Sequence, residues 1–336
     1  MSRGPGNLLV TGVPGWLTAA FLRSIRAEHL PGLTSIRCLV EPHLDPQQST
    51  VNGERCGVEY VSADLRDTAA LRSATQGIDS VLHAAGILHV RRTDDWYQIN
   101  THGTRNLVWA AVQAGVRRFV FISSNAAAGR SPDPQRLLTE TDSPSPLSHY
   151  GRSKWLAEKH LAGYGKVMET VVLRPCMFYG PPVPARHVDI YQRLISGRMP
   201  LIGQGNYARS LTYVDHLVQA CRLALTHPAA AGQTYFISDL EPYTTKEVTD
   251  AMAQALGVSA RYLKLPDVTA KLAYKLDLKL AECGLYWQAL HLAGEADWNV
   301  GVSCEKARTE LGYEPAISLN EGMKRAVAWC RENHKL

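Results

Sequence analysis

Two side chains four residues apart have the chemistry for proton transfer. Tyr150 and Lys154 stand in the segment YGRSK at the head of a pattern with helical periodicity, so both would lie on one helix face. Free tyrosine has a pKa of about 10 and is a weak base at neutral pH. A neighbouring ammonium stabilises the phenolate and should lower that pKa. With Ser124 to align the reacting oxygen, the three residues predict proton transfer at a secondary alcohol or ketone.

A glycine turn near the start of the chain gives this pair its context, because the Y-x-x-x-K spacing alone also arises by chance. The apolar run Leu8 to Val10 leads into TGVPGWLT and then a helical pattern. Gly12 permits a tight turn and Gly15 the close approach of backbone to a pyrophosphate, which Trp16 and Leu17 would meet at the helix N-terminus. Thr18 stands where a third glycine is usual, which predicts looser packing of helix on strand or a compensating shift.

Residues after the next three predicted strands extend the same hypothesis. Glu41 follows the second strand, where a carboxylate would accept hydrogen bonds from ribose hydroxyls and repel a 2′-phosphate, favouring NAD over NADP. Asp64 and Leu65 follow the third strand and would hold the adenine. Small residues follow the fourth strand, where a dinucleotide must cross the sheet edge: Ala84, Ala85 and Gly86.

Short β-branched runs alternate with helical patterns through the first half of the chain. Such alternation predicts βαβ units and an α/β fold built on a doubly wound parallel sheet. The predicted strands are Leu8 to Thr11, Ile36 to Val40, Val58 to Val61, Ser80 to His83, Phe119 to Ser123 and Thr170 to Leu173. The proline-rich stretch 129–149 predicts a loop over the carboxyl edge of the sheet, where ligands of such sheets bind.

The alternation weakens after residue 175, where prolines cluster and the elements become mixed. We therefore expect a dinucleotide-binding domain over residues 1–175 and a smaller C-terminal substrate-binding lobe over most of residues 176–336. Later segments such as 210–240 are expected to return to the first domain.

The composition excludes several classes of function. The chain has 336 residues, 45% of them hydrophobic and 20% charged, and a net charge of +5 with no long run of one sign. No nucleic-acid partner is therefore expected. Seven scattered cysteines lack metal-ligand spacing, so no metal is expected and reduced thiols in a cytoplasmic protein fit best. No segment has the length of a membrane span.

In motif order the chain resembles the extended short-chain dehydrogenases/reductases, which include nucleotide-sugar epimerases and hydroxysteroid dehydrogenases. The cofactor turn TGxxGxxG of that family reads TGVPGWLT here, and its Ser, Tyr and Lys fall on Ser124, Tyr150 and Lys154. Its N-x-x-G-T-x-N-L helix matches the segment from Asn100. The resemblance implies a Rossmann-type fold, NAD(P)-dependent hydride chemistry and a possible homodimer. Further cofactor contacts are expected at Asn100, Tyr150, Lys154, Pro175 and Cys176, with Lys154 holding the nicotinamide ribose.

The resemblance leaves the small-molecule substrate open. Nucleotide-sugar enzymes of the family carry an asparagine where Met177 stands and an arginine that matches Arg209, but their C-terminal P-x-R-x-G-D segment is missing. The apolar stretch from Leu265 to Leu292 resembles the hydroxysteroid side instead. An apolar pocket is expected there, with Tyr274, Leu285, Tyr286, Trp287 and Leu290 as its candidate lining. A third hypothesis is a sensor or scaffold that binds NAD without turnover.

Overall fold

The computed structural model describes residues 4–44, 58–131, 133 and 135–336. Cys56, one of the seven cysteines, lies outside the described residues. None of the helices within these ranges is long and apolar enough to cross a membrane.

A seven-stranded parallel sheet forms the centre of the molecule, with the strand order β3-β2-β1-β4-β5-β6-β11. The order reverses between β1 and β4, which run parallel with Val10 beside Leu82. Ligands of doubly wound sheets bind at this reversal, beyond the carboxyl ends of the strands. The seven strands are β1 (Gly6–Val13), β2 (Leu33–Val40), β3 (Val58–Ser62), β4 (Ser80–His83), β5 (Arg118–Ile122), β6 (Glu169–Pro175) and β11 (Thr234–Ile237).

Helices cover both faces of this sheet, because the central strands are buried on both sides and read as continuous apolar runs. On one face Phe21 of α1 and Leu217 of α7 join a core that extends into the C-terminal elements. On the other face Leu71, Leu107 and Leu161 form a second core. The flanking helices are α1 (Trp16–Ala27), α2 (Thr68–Thr75), α4 (Thr104–Gln113), α5 (His149–Ala162) and α7 (Val214–Thr226).

Most of the remaining elements follow β6 in the chain; we call them the smaller lobe, and they share a core with α1 and α7. Three two-stranded pairs, β10 with β7, β12 with β9 and β13 with β8, connect its helices. The strands are β7 (Met177–Tyr179), β8 (Met199–Ile202), β9 (Ala208–Arg209), β10 (Leu211–Tyr213), β12 (Tyr243–Thr244) and β13 (Tyr262–Leu265). The helices are α6 (Ala185–Ile195), α8 (Thr245–Leu256), α9 (Val268–Glu282), α10 (Gln288–Gly294), α11 (Glu305–Leu311) and α12 (Leu319–Glu332). Earlier in the chain, between β4 and α4, the short helix α3 (Thr93–Trp96) precedes a π-helical stretch, Tyr97–Gly103.

The predicted Rossmann-type α/β fold is confirmed, and each of the six predicted strands coincides with a strand of the large sheet. The seventh strand, β11, pairs with β6 and follows α7, so it belongs to the large sheet although it comes late in the chain. The stretch 129–149 contains neither helix nor strand among its described residues before α5 begins at His149.

Candidate active site

The turn between β1 and α1 allows two stretches of backbone to come very close. Gly12 has a φ of +85°, and a Cβ there would lie 2.7 Å from backbone atoms of Ala84 and Ala85. A Cβ on Gly15 would lie 2.4 Å from the carbonyl oxygen of Gly12. Only glycine fits both positions. The first turn of α1 carries no acidic residue, so its N–H groups and positive dipole end can receive an anion.

Thr18 stands at the position of the missing third glycine, and its hydroxyl forms hydrogen bonds within the turn. Its buried hydroxyl donates to the carbonyl oxygens of Gly12 at 2.8 Å and Gly15 at 3.0 Å, and Gly15 N–H donates back to it at 3.1 Å. These bonds tie the turn to the first turn of α1. Of the two expectations for this position, looser packing or a compensating shift, these bonds fit a compensation, because the threonine hydroxyl holds the turn to the helix.

Trp16 joins the turn to the smaller lobe. Its ring packs 4.5 Å from that of Phe178 in β7 and edge-on 5.0 Å from that of His187 in α6. The indole N–H is buried and has no acceptor among the described residues. A buried donor without a partner is costly, so an oxygen acceptor of a bound ligand fits this position.

The segment after β4 is hydrogen-bonded to β1 and lies close to Asn100 and Lys154. Thr11 Oγ1 accepts from Ala85 N–H at 3.2 Å and bonds His83 Nδ1 at 2.7 Å. Burial lowers the pKa of His83 to about 3, helped by the charge of Lys154, so its ring is neutral. A Cβ on Gly86 would approach Asn100 Oδ1 to 3.0 Å and Lys154 Nζ to 3.7 Å. The site is therefore narrow here, and the glycine keeps it open.

Asn100 holds neighbouring backbone in place. Its Oδ1 accepts from Ile87 N–H at 2.8 Å, and its Nδ2 donates to Ile87 O at 3.0 Å and Ser153 Oγ at 3.2 Å. The side chain thus links the segment after β4 to α5. Its predicted contact with the cofactor stays a prediction.

The three residues expected around adenosine lie beyond β2 and β3. Glu41 is half exposed, with Oε1 3.2 Å from His43 Nε2. The Asp64 carboxylate holds Arg66 through Nε at 2.9 Å and Nη2 at 2.5 Å, and this hydrogen bonding lowers the pKa of Asp64. Leu65 is buried, and its carbonyl accepts from Asn106 Nδ2 at 3.1 Å. Two carboxylates, of Glu41 and Asp64, and the buried apolar side chain of Leu65 therefore lie at this end of the sheet.

Ser124 and Tyr150 meet because α5 starts against the short helical turn Asn125–Ala127. A Cβ on Gly151 would lie 2.2 Å from the carbonyl oxygen of Ala126, so glycine permits the close approach. Ser148 caps the helix by accepting from Gly151 N–H at 3.1 Å. This places the Tyr150 side chain near enough to Ser124 for the serine to act on the pKa of Tyr150, which it lowers against the effect of burial. The sequence placed both residues at the sheet edge but did not reveal the glycine contact.

The pKa of Tyr150 is raised rather than lowered. Burial has the larger effect, and the hydrogen bond with Ser124 and the charge of Arg186 oppose it. The expectation that Lys154 would lower this pKa is wrong for the described structure, because the charge that acts on the phenolate is that of Arg186 and desolvation outweighs it.

Lys154 lies beneath the site rather than in solvent. Its Nζ donates to Ile122 O at 2.7 Å and lies 4.3 Å from the ring centre of Phe121. Burial lowers its pKa to about 7, against the raising effect of Glu158. The ammonium is therefore easily deprotonated at neutral pH, and additional oxygen acceptors would favour its charged form.

A buried ion pair lies one turn further along α5. Glu158 accepts from Arg174 Nε at 3.0 Å and Nη2 at 2.6 Å, and from the hydroxyl of Ser123. All three side chains are buried. Sequence reasoning missed this network, although Tyr150, Lys154 and Glu158 follow each other at intervals of four along one helix face. Because Ser123 precedes Ser124 and Glu158 lies one turn from Lys154, this network holds the backbone that carries both Ser124 and Lys154 in place.

Arg186 is a second residue that the sequence reasoning missed. Its guanidinium carbon lies 5.6 Å from the ring centre of Trp16, and its charge acts on Tyr150 and His89. Burial lowers the pKa of Arg186, and Tyr150 raises it. It forms no ion pair with any residue in the described ranges. No motif identifies it, since it follows the proline cluster at the start of α6.

Three further predicted residues, Pro175, Cys176 and Met177, lie where β6 leaves the sheet, and a fourth, Arg209, lies in β9. Pro175 is the last residue of β6. Cys176 is buried, and its backbone N–H donates to Thr212 Oγ1 at 3.1 Å. Burial raises the pKa of Cys176, which fits a core residue rather than a nucleophile. Met177 is 55% exposed. Arg209 donates to the carbonyl of Glu295, so part of its guanidinium is already engaged. The substrate roles of Met177 and Arg209 stay predictions.

A pocket adjoins the start of α5. Trp96, which lies 6.4 Å from Tyr150 ring to ring, forms part of its wall. Tyr274 and Tyr286 line it as expected, with Leu147, Leu278 and Ala281. The inclusion of Leu285 and Trp287 is wrong, since these side chains are 49% and 62% exposed and lie outside the lining, as does Leu290. The turn between α9 and α10 directs them away, which periodicity could not show.

His291 forms ion pairs that connect the helices α9 and α10 beside this pocket. Its Nδ1 lies 2.7 Å from Asp277 Oδ2 in α9, and its Nε2 lies 3.2 Å from Glu295 Oε1. Burial acts to lower the pKa of His291, but the two carboxylates overcome it and raise the pKa to about 9. The charged ring therefore holds α10 on α9.

These ion pairs predict a pH-dependent stability. The folded-state pKa of about 9 exceeds the unfolded value of about 6.5. Stabilisation by His291 should be complete below about pH 6.5 and disappear as the pH rises through 9. We expect the difference in thermal midpoint between wild type and His291→Gln to shrink over that window. His334→Gln, at an exposed position, serves as control; a difference that grows with pH would contradict the assignment.

Comparison with known proteins identifies the family. The model of the NAD dependent epimerase/dehydratase family matches residues 8–238. The chain belongs to this family. The protein y4nL of Sinorhizobium fredii is 35% identical, over 97% of this chain and 95% of its own length. A 3-beta-hydroxysteroid dehydrogenase of Mycolicibacterium neoaurum is 28% identical, over 96% of this chain and 91% of its own.

Solved structures agree with this membership. A dTDP-glucose 4,6-dehydratase of Streptomyces venezuelae with NAD bound superposes with a TM-score of 0.80 at 25% identity, covering 98% of each chain. The resemblance to extended short-chain dehydrogenases/reductases is thereby confirmed, and this epimerase/dehydratase family consists of NAD-dependent enzymes.

The residues of this chain fit the dinucleotide of the family. The glycine turn excludes side chains from the switch point, the first turn of α1 offers free N–H groups, and the Trp16 indole N–H lacks an acceptor among the described residues. Gly12, Gly15, Trp16 and Leu17 would hold the phosphates.

Proposed function

We propose that the protein is an NAD-dependent oxidoreductase that interconverts a secondary hydroxyl and a ketone, with Ser124, Tyr150 and Lys154 as its proton relay. The observation that carries the proposal is the convergence of three residues at the carboxyl edge of the sheet: Gly151 brings the start of α5, with Tyr150, against the turn that follows Ser124, and the buried Lys154 donates to Ile122 O at the end of β5. Bound NAD supplies the hydride acceptor. The chain's own residues would orient the alcohol and remove its proton.

Each residue of the relay has a distinct task. Ser124 hydrogen-bonds the reacting oxygen and aligns it with the Tyr150 hydroxyl. Tyr150 takes the proton of the alcohol in oxidation and returns it to the ketone oxygen in reduction. Arg186 brings positive charge towards the phenolate, which opposes the desolvation that raises the pKa of Tyr150. Lys154, one turn along α5, would hold the nicotinamide ribose and add a second positive charge below the site.

An apolar, hydroxysteroid-like alcohol is the substrate class we favour. The pocket at the start of α5 has the rings of Trp96, Tyr274 and Tyr286 in its wall, beside polar side chains such as Ser148 and Asp277, and we propose that those rings contact a rigid apolar body. Similarity to a 3-beta-hydroxysteroid dehydrogenase along nearly the whole chain supports the same class.

A nucleotide-sugar epimerase, with a transient 4-keto sugar and tightly bound NAD, is the alternative. Structural likeness to a dTDP-glucose dehydratase and the presence of Arg209 favour it. Against it, Arg209 already donates to the carbonyl of Glu295, and Met177 replaces the family's asparagine. Turnover on either class would exclude a silent NAD-binding sensor.

We also propose NAD rather than NADP as the cofactor. Glu41 places a carboxylate beyond β2, and the guanidinium of Arg66, a group suited to pairing with a 2′-phosphate, is held by Asp64. Calorimetry should give tighter binding of NAD, with the preference reduced in Glu41→Gln and at high salt. Tighter binding of NADP by the wild type would remove the role of Glu41. The cytoplasmic location and the homodimer stay predictions.

A substrate screen tests the proposed function. Purified protein with NAD is incubated with a panel of sterol alcohols and, in parallel, with UDP-, GDP- and dTDP-sugars, and products are separated chromatographically. We expect saturable oxidation of apolar secondary alcohols. Epimerisation of sugars alone would reverse the substrate preference, and NAD binding without turnover on either panel would favour the sensor. Tyr150→Phe is the control for background reaction.

A further inference from the structure

Exposed apolar side chains are concentrated in one short segment of the smaller lobe. Fifteen large apolar side chains are exposed in the described part of the chain, and eight of them lie between residues 263 and 292. A run this dense on a soluble surface is unusual and marks an interaction site. The eight are Leu263, Val268, Leu272, Leu276, Leu278, Leu285, Trp287 and Leu292.

Helix α9 carries the core of this segment and has two opposite faces. Its buried residues, Ala270, Ala273 and Asp277, point to one side, where α10 packs and His291 binds Asp277. At about 100° per residue, the opposite side presents an apolar row at intervals of four: Val268, Leu272 and Leu276. These side chains are 65%, 58% and 46% exposed. The outward face of α9 is therefore apolar, although no element of the described chain covers it.

Three lysines lie on the same outward face. Lys271, Lys275 and Lys279 also follow each other at intervals of four, are exposed and form no ion pair with described residues. Across residues 261–292 the exposed charged side chains number five basic and two acidic: Arg261, Lys264, Lys271, Lys275 and Lys279 against Asp267 and Glu282. We call the six residues Val268, Lys271, Leu272, Lys275, Leu276 and Lys279 the α9 surface.

We propose that the α9 surface docks the protein on an anionic lipid membrane. Apolar side chains of an interfacial helix enter the headgroup region, while lysine stems extend along them and place their ammonium groups at lipid phosphates. Exposed tryptophan, as at Trp287 in the same segment, suits that boundary because its ring is apolar and its N–H polar.

Charge and shape favour a lipid surface over other occupants. A second copy meeting this one across a two-fold axis would bring the same lysine rows together, and like charges facing each other disfavour that contact. A peptide partner would need a groove, whereas α9 presents a convex helix face. A membrane surface offers phosphates to the lysine row and an apolar interior to the row of Val268, Leu272 and Leu276.

Vesicle co-sedimentation of the full-length protein tests the apolar part of the proposal. We expect the wild type to sediment with phosphatidylglycerol vesicles and to remain in the supernatant with phosphatidylcholine vesicles. Val268→Gln with Leu276→Gln should reduce binding at least about tenfold. The matched control is Val167→Gln with Leu240→Gln, whose parent side chains are 69% and 49% exposed elsewhere on the surface.

The charged part needs its own pair of variants. Each lysine near an anionic surface contributes roughly a fivefold factor, so Lys271→Gln, Lys275→Gln and Lys279→Gln together should weaken binding on the order of 100-fold. Lys166→Gln, Lys324→Gln and Lys335→Gln change the net charge equally and should leave most of the binding intact. Circular dichroism verifies that all variants are folded.

Three results would overturn the proposal. The wild type would bind neither kind of vesicle, or the control variants would lose as much binding as the α9 variants. Alternatively, light scattering would show a dimer that Val268→Gln with Leu276→Gln dissociates and that does not bind vesicles, which would assign the α9 surface to a second copy.

Discussion

Tyr150→Phe should lower turnover on any identified substrate by at least about 100-fold while NAD binding stays nearly unchanged. Removal of a general acid/base typically costs about 10²- to 10⁴-fold in rate. The phenyl ring keeps the packing against Trp96, whose ring centre lies 6.4 Å away, but the hydroxyl that would exchange the proton is lost. Steady-state kinetics gives kcat and KM, and calorimetry gives the dissociation constant of NAD.

The control removes a neighbouring hydroxyl that has no part in the proposed relay. Tyr97→Phe deletes the group 2.9 Å from His149 Nδ1, at the preceding residue of α5, and should retain most of the turnover. Unaltered turnover in Tyr150→Phe would contradict the relay. Loss of NAD binding together with turnover would show instead that Tyr150 supports the cofactor site.

Local sequence patterns were enough to predict most of the large sheet and the site residues that directly follow its strands. A parallel strand buried on both faces reads as a continuous apolar run, so the strands preceding Gly12 and Ser124 were recognisable without a structure. Since these strands are parallel, the residues after them converge on one edge of the sheet. Tyr150 could be added because the order of the motifs repeated the order of the strands.

Contacts between distant segments could not be derived in this way. Arg174 and Glu158 face each other from β6 and α5, and nothing in either local pattern states the pairing. Thr18 broke a glycine motif, yet its hydroxyl bonds restore the turn. Leu285 and Trp287 have the composition of a pocket lining but are exposed, because the turn between α9 and α10 decides which way they face.

Glu158→Gln should destabilise the protein by about 3 to 5 kcal/mol, the usual cost of breaking a buried ion pair from one side. The amide would leave the Arg174 guanidinium buried without a counter-charge, and neither parent side chain is more than 9% exposed. Denaturant unfolding followed by fluorescence measures the loss. Glu59→Gln, which breaks an exposed pair with Arg37, should cost no more than about 1 kcal/mol.

The same substitution should move the pH dependence of turnover. Burial lowers the pKa of Lys154 to about 7, and the Glu158 charge raises it against that effect. Without the carboxylate the pKa of Lys154 falls further, so the ammonium is lost at a lower pH. The alkaline limb of the kcat/KM profile should therefore shift to lower pH in Glu158→Gln.

A double variant separates the structural from the electrostatic effect. Glu158→Leu with Arg174→Met removes both charges, and replacement of a buried pair by apolar side chains is often neutral or stabilising. Stability should return towards that of wild type, whereas the shift of the alkaline limb should persist because the carboxylate beside Lys154 is still absent. Recovery of both would mean that the pH shift in Glu158→Gln came from loosened packing rather than from charge. Recovery of stability alone would establish Glu158 as a positioning residue that acts through the ionisation of Lys154.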